Sequence, residues 1–403
     1  MYSAVFLLML AQWPQWGGPN RNFQVDSPRL ANTWPPGGPK RLWVRELGEG
    51  FSGIVVDGGR LYTMHNRGNR GQSGEQELVV AIDAETGKTM WEYAYRAVFT
   101  NDAQVGPGPH ASPLVDGDRL YTAGVTGKIH CLNAKTGKVA WMHDLRLEYN
   151  ASPLIYGYAS SPLLYKDKII VPVGGQGYAL MAFDKMDGHP IWRAGSYTNA
   201  YSSPLVINVD GQDQIIIVMK ADVVAVDPNT SNVLWTRPQN AQYGLNVTMP
   251  VWGPDNLLFV SSAYNGGSQV LRLHQKDGKT TVEQLWSGYK MHIHHGDAVR
   301  IGDVIYGSSG DFGPAPLTAV DVRTGKVLWQ DRQFPKANLV VADGKAIILD
   351  QDGELALATL SAEGCKVLAK AQVLEKLAWT PPALAGTKLY VRERKTLMAL
   401  DLK

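Results

Sequence analysis

The sequence has few cysteines, no block of like charge and no apolar run long enough to cross a bilayer, and each lack removes a class of function. Only Cys131 and Cys365 occur among 403 residues, with no CxxC, no CxxCH and no adjacent cysteine pair. Zinc ribbons and covalently attached haem are therefore excluded. Lys and Arg number 39 against 37 Asp and Glu, a formal net charge of +2, and no Lys/Arg cluster could neutralise a run of phosphates. No nucleic-acid partner is expected. The stretch Met1-Tyr-Ser-Ala-Val-Phe-Leu-Leu-Met-Leu-Ala11 is too short to span a membrane, so no transmembrane segment is expected. It is similar to the apolar region of a secretory signal, although no basic residue precedes it, and without a following Cys it encodes no lipid anchor. A periplasmic or secreted protein is the expectation.

With 44% hydrophobic and 19% charged residues, the chain has enough apolar surface to build a large core. The order in that surface is a repeat. A small-Pro-apolar strand start leads to an Asp-Gly turn and an apolar strand, then to an apolar pair, Asp or Asn, x-x-Thr-Gly-Lys and x-x-Trp. The clearest copy runs from Ser112-Pro-Leu-Val-Asp-Gly-Asp-Arg-Leu-Tyr121 through Ile129-His-Cys-Leu-Asn-Ala-Lys-Thr-Gly-Lys-Val-Ala-Trp141. Others end at Trp91, Trp192, Trp235 and Trp329, and a looser one, Gln275-Lys-Asp-Gly-Lys, leads to Trp286; the spacings from Trp91 onward are 50, 51, 43, 51 and 43. A unit of that size fits a four-stranded propeller blade.

A seventh copy has Ala369 where the Trp belongs, and an eighth, ending Leu397-Met-Ala-Leu-Asp-Leu-Lys403, stops one strand short. The missing strand stands alone near the other terminus as Arg41-Leu-Trp43-Val-Arg-Glu46. The sequence thus predicts an all-β, eight-bladed propeller over 41–403, its last blade closed by an N-terminal strand, after a signal-like segment (1–11) and an extension (12–40). Open strand edges would otherwise remain. Asp184, Asp227, Asp321 and Asn133 recur at one repeat position and are expected to be turn residues. Cys131 and Cys365, on different blades, are expected to be buried free thiols.

These xDxxTGKxxW units resemble pyrroloquinoline quinone (PQQ) repeats, shared by quinoprotein alcohol dehydrogenases and by the BamB-type outer-membrane assembly scaffold. Trp13-Pro-Gln-Trp16-Gly-Gly-Pro-Asn-Arg21 resembles the leading segment of exported bacterial propellers of this class. For the dehydrogenases the resemblance implies adjacent cysteines over the quinone and Glu/Asn/Asp ligands on a calcium ion. This chain has no adjacent cysteines and no acidic cluster that aligns with those ligands, so no catalytic residue is carried over.

Short turns gather on one face of such a ring, and the variable connections gather on the other, where binding is expected. The candidates there are His110, Tyr158, Tyr201, Asn246, Lys290, His294, His295, Lys336 and Trp379, with Asp311 from a loop between second and third strands. Arg67 and Arg70 in a Gly-rich loop are expected to be solvated. In Lys290-Met-His-Ile-His-His-Gly296, a strand would turn His292 and His294 to one side, making them candidates for a metal site that needs a third ligand. The expected function is an exported, monomeric, non-catalytic binding or scaffold propeller, its partner a small polar ligand or a cell-envelope protein, with no assured cofactor. The alternative is a PQQ-dependent oxidoreductase that acts on an alcohol or sugar with bound calcium.

Overall fold

The computed structural model describes residues 12–67, 75–99, 106–311, 313 and 315–403; the apolar start and Arg70 lie outside them. Eight four-stranded antiparallel sheets form the ring of an eight-bladed propeller. Blades 1 to 7 span 55–96, 114–144, 163–194, 205–238, 251–288, 299–331 and 338–372, and blade 8 combines 383–401 with 40–46. Among the described residues, helix is confined to Leu145–Tyr149 and two short 3-10 turns. The closing blade is assembled from both ends of the ring, as the sequence implies: Lys40 lies opposite Asp401 and Glu46 opposite Thr396.

The repeat residues act as a joint between blades. Asp83 Oδ1 accepts from the N–H groups of Glu85 and Thr86 and from the Thr86 hydroxyl, and Asn133 and Asp321 do the same in their own blades. Each such turn exposes the carbonyl of the residue after the Asx to the neighbouring blade. The indole N–H of Trp43 donates to Ala84, Trp91 to Ala134, Trp141 to Lys185, Trp192 to Pro228 and Trp286 to Val322. The turn glycine lies flat beneath the same ring: a Cβ on Gly137 would lie 2.6 Å from Trp91, and one on Gly188 2.6 Å from Trp141. In these turns glycine therefore serves twice, for its positive φ and for the close approach of the ring, whereas the blade 4 turn has Ser231 there at φ +63°.

Three junctions depart from this scheme. Between blades 6 and 7, Trp329 donates to Ser361 O in a turn that lacks the Asx-x-x-Thr-Gly pattern. Blade 5 has the looser turn, and Trp235 donates instead to Gln214 Oε1, whose amide passes the bond on to Thr280 of blade 5. Blade 7 lacks the Trp, and there the N-terminal segment fills in: Gly38, at φ +96°, presses so close to Ala371 of the outer strand that a Cβ would lie 2.6 Å away.

That segment also crosses the ring. Trp13 pairs with Val56 of blade 1 in both directions, and Pro14 O accepts from Val115 of blade 2. Arg21 donates to Pro162 beside blade 3, Gln24 to Arg300 of blade 6, and Phe23 and Val25 pair with Val341 of blade 7. Residues 13–25 thus bond to the channel-lining strands of blades on opposite sides of the axis and plug the channel from the turn face. Trp13, Phe23 and Leu30 are buried in the main core.

Cys131 and Cys365 are free thiols as expected, but Cys365 is only half-buried, because its outer strand faces solvent on one side. Arg67 is exposed beside Glu92 at 3.5 Å.

Two outcomes test this architecture. Trp141→Ala should lower unfolding free energy by about 3 kcal/mol, a large-to-small core loss, read from the denaturant midpoint. A chain beginning after Glu46 should show no cooperative thermal transition by circular dichroism.

Candidate functional site

On the face opposite the repeat turns, the connections that lead into the inner strands converge on a pocket of about 430 Å³ at the ring axis. The small-Pro strand starts build its base. Ser112, Ser161 and Ser203 occupy the same position in blades 2, 3 and 4; the N–H of Ser112 donates to the Ser161 hydroxyl, and that of Ser161 to the Ser203 hydroxyl. In blade 6 the position is Asp297, whose carboxylate accepts the N–H of Met249 from blade 5 at 2.8 Å. One ring of side chains therefore carries serines on one side and a buried carboxylate on the other. Trp16 of the plug reaches the pocket from below and hydrogen-bonds Asp297.

The wall is aromatic. His110 stacks on Phe51 at 6.2 Å, Phe51 meets Trp379 at 5.2 Å, Trp379 meets His295 at 4.5 Å, His295 meets His294 at 4.7 Å, and His294 meets Tyr264 edge-on at 4.9 Å. Six rings from four blade connections and one loop form an unbroken arc, faced by Tyr156 and Tyr201 at 6.0 Å from each other.

Along that arc, buried polar atoms have no hydrogen-bond partner among the described residues: His110 Nε2, both ring nitrogens of His295, His294 Nδ1 and the Trp379 indole N–H. A buried polar group left unmade costs about 1–3 kcal/mol, so the arrangement is at rest only with a polar guest or ordered water in the pocket.

Burial also sets the charge. Desolvation lowers His110 and His294 to about 4 and His295 well below its ordinary value, so all three imidazoles are neutral at pH 7. Burial pushes the Asp297 carboxyl up to about 7, against the opposing pull of the Met249 N–H and the Arg21 guanidinium. Burial also lowers the half-buried Lys336 amine, with Asp311 acting the other way. Lys336 has a left-handed backbone, φ +47°, as does Tyr264 at φ +52°, a conformation that disfavours side chains and is held by the surrounding structure.

Of the residues singled out in the sequence, the structure brings His110, Tyr201, His294, His295, Lys336 and Trp379 to this pocket. Three are elsewhere. Tyr158 is buried over Gly127 and donates to Ser152 O. Asn246 is fully buried, its amide spent on Met219 O and Gln239 O and its oxygen on Ser262. Lys290 is exposed on the connection between blades 5 and 6.

Asp311 lies just outside the pocket, accepting from Tyr264 N and lying 3.7 Å from His292 Nε2. Residues 289–298 form no strand, so the alternation expected for His292 and His294 does not apply. His292 turns to Asp311 and Tyr289 O, whereas His294 turns to the Tyr264 hydroxyl, and the two imidazoles share no third ligand among the described residues.

Trp16, Phe51, Tyr156, Tyr264 and Asp297 were not singled out. Asp297 did leave a trace, as the one acidic residue at a position that reads Ser-Pro in blades 2, 3 and 4.

Comparison with known proteins shows where this architecture recurs. The family model described as outer membrane protein assembly factor BamB matches residues 75–331. The chain is 23% identical over 69% of its length to outer membrane protein assembly factor BamB of Yersinia pestis, covering 70% of that protein. It is also 23% identical over 82% of its length to a polyvinylalcohol dehydrogenase of Pseudomonas sp, covering 47% of it. A quinohemoprotein alcohol dehydrogenase of Pseudomonas putida matches at 29% identity over 35% of this chain and 18% of that enzyme, so the chain spans less than half of these dehydrogenases. Among solved structures, BamB from Moraxella catarrhalis shares the fold with a TM-score of 0.61 at 18% identity, over 90% of this chain and 97% of that one. Quinohemoprotein alcohol dehydrogenase from Comamonas testosteroni does so with 0.67 at 14%, over 97% and 80%.

The raised Asp297 carboxyl gives a pH signature. Between pH 4 and 7 the folded chain keeps a proton that the unfolded chain has released, so this group makes stability fall as pH rises through that window and has no further effect above it. Asp297→Asn keeps an acceptor for Met249 but cannot titrate. The stability of the wild type relative to this variant should fall from pH 4 to pH 7 and then level off, as read from urea midpoints across the range.

Proposed function

Because the chain belongs to the family described as outer membrane protein assembly factor BamB, we propose that it is an exported, non-catalytic binding propeller whose axial pocket holds a small ligand and whose pocket face meets a cell-envelope protein. The observation that carries this reading is the pocket itself: rigidly framed, about 430 Å³, walled by aromatic rings and lined with buried nitrogen atoms that have no partner among the described residues. Sites of this kind, apolar with a few fixed polar groups, are where small molecules bind. The partner surface is supported by the most exposed large apolar side chains, Leu147, Ile155, Tyr243 and Tyr289, at 84%, 73%, 68% and 68% exposure. All four lie on blade connections of the pocket face, and none on the repeat turns.

The second reading, a quinone-dependent oxidoreductase, is suggested by the dehydrogenase relatives. Calcium takes six to eight oxygen ligands, yet among the described residues lining the pocket Asp297 is the one carboxylate, and it is committed to Met249 N–H and Trp16. The residues present do not fit the calcium and quinone pair.

Calorimetric titration of PQQ with and without calcium, followed by dye-linked alcohol oxidation on the same sample, separates the two. We expect no calcium-dependent binding and no dye reduction. Micromolar, calcium-dependent binding with turnover would replace the binding propeller by the enzyme.

A further inference from the structure

We infer that the axial pocket takes an aromatic monoacid, a flat ring body carrying one carboxylate, with the carboxylate on Lys336 and the ring against the arc formed by Phe51, Trp379 and His295. The inference rests on the pocket being a ligand site and specifies the ligand by shape, charge and polarity.

Shape comes first. The space corresponds to about fourteen water molecules at their liquid volume, room for one or two fused rings. Phe51, Trp379 and His295 lie within 30° to 40° of one another's planes across consecutive pairs, at 5.2 and 4.5 Å. Such a surface presents broad ring faces and edges to a planar guest, which aromatic pairs favour in offset or tilted geometry.

Charge is the more selective feature. The three histidines are neutral, and Asp297 is balanced by the Arg21 guanidinium beneath it. Lys336 is then the remaining charged side chain of the lining. Its amine has no hydrogen bond and no carboxylate within ion-pair distance among the described residues, although Asp311 is near enough to influence it. A half-buried, unpaired ammonium in a neutral, largely apolar pocket is complementary to a single anion. A guest with two or three carboxylates would bury charges for which the lining has no partner, and a cationic guest would face Lys336 directly.

Polarity supplies the remaining contacts. The Trp379 indole N–H is a fixed donor, and the His295 nitrogens offer one donor and one acceptor in the neutral ring. A ring heteroatom or hydroxyl on the guest would meet groups that otherwise lack partners, beside the face on which the ring lies.

The test is calorimetric titration of 2-naphthoate, its neutral isostere 2-naphthamide and the cationic 2-naphthylmethylamine into the full chain and into Lys336→Gln and Trp379→Ala. We expect the acid to bind at least tenfold more tightly than the amide and the amine not at all. Lys336→Gln should bring the acid down to the level of the amide and leave the amide unchanged, whereas Trp379→Ala should weaken both. Equal affinities for acid and amide, or an acid preference that survives Lys336→Gln, would overturn the monoacid inference while leaving a ligand pocket in place. Absence of binding by all three probes would overturn both the inference and the ligand-site reading beneath it.

Discussion

The interaction on which the ring depends is the bond from a tryptophan on the outer strand of one blade to a turn carbonyl of the next. A propeller blade is a small twisted sheet that cannot bury its own faces, and neighbouring sheets could slide over an apolar interface without loss of area. The indole N–H removes that freedom, because it has one acceptor at one place, and beneath Trp43, Trp91, Trp141 and Trp286 a turn glycine fixes the depth of approach. Trp43, Trp91, Trp141, Trp192 and Trp286 make the same contact, so blade spacing is set locally and the pocket geometry follows from it. Where the repeat fails, the chain substitutes: a glutamine relay between blades 4 and 5, and the N-terminal segment against the Trp-less blade 7.

Most of that framework is legible in the sequence because turns and strand ends have strict local chemistry. The Asx-x-x-Thr-Gly-Lys-x-x-Trp pattern identifies the blades, the stranded Leu42-Trp43-Val44 reveals the closure, and the turn arithmetic tells which face holds the variable connections. The site was legible in part. His110, Tyr201, His294, His295, Lys336 and Trp379 reach the pocket because each lies on the approach to an inner strand.

Direction within those connections has no period, however, and a residue two places away can turn into the core, as Tyr158 and Asn246 do. The contribution of Trp16 could not be read at all from local pattern. It depends on a crossing of the axis that pairs residue 13 with residue 56 and residue 25 with residue 341, contacts that no local rule anticipates. Asp297 differs, since aligning the blade starts exposes it as a carboxylate among serines.

The plug and the pocket are two sides of one construction. Without residues 13–25 the axial space would run through the ring; with them it is blind, floored by Trp16 and backed by the Arg21 and Asp297 charges. A blind pocket can keep neutral imidazoles and a half-desolvated lysine in place, because water enters from one side only and the low-dielectric floor holds their charge states.

The path of residues 13–46 has a consequence for the order of assembly. These residues are synthesised before every blade, yet their partners include Val341, Leu402 and the strand Thr396–Asp401, made last. Blades 1 to 7 can each form from contiguous chain as they emerge, and residues 13–21 can meet blades 1 to 3 early, but the remainder of the leading segment must wait for almost the whole polypeptide. The final folding event is therefore a loop closure of very high sequence separation, the slow kind of step, and until it occurs the chain is an open, curved stack of sheets with two bare edges.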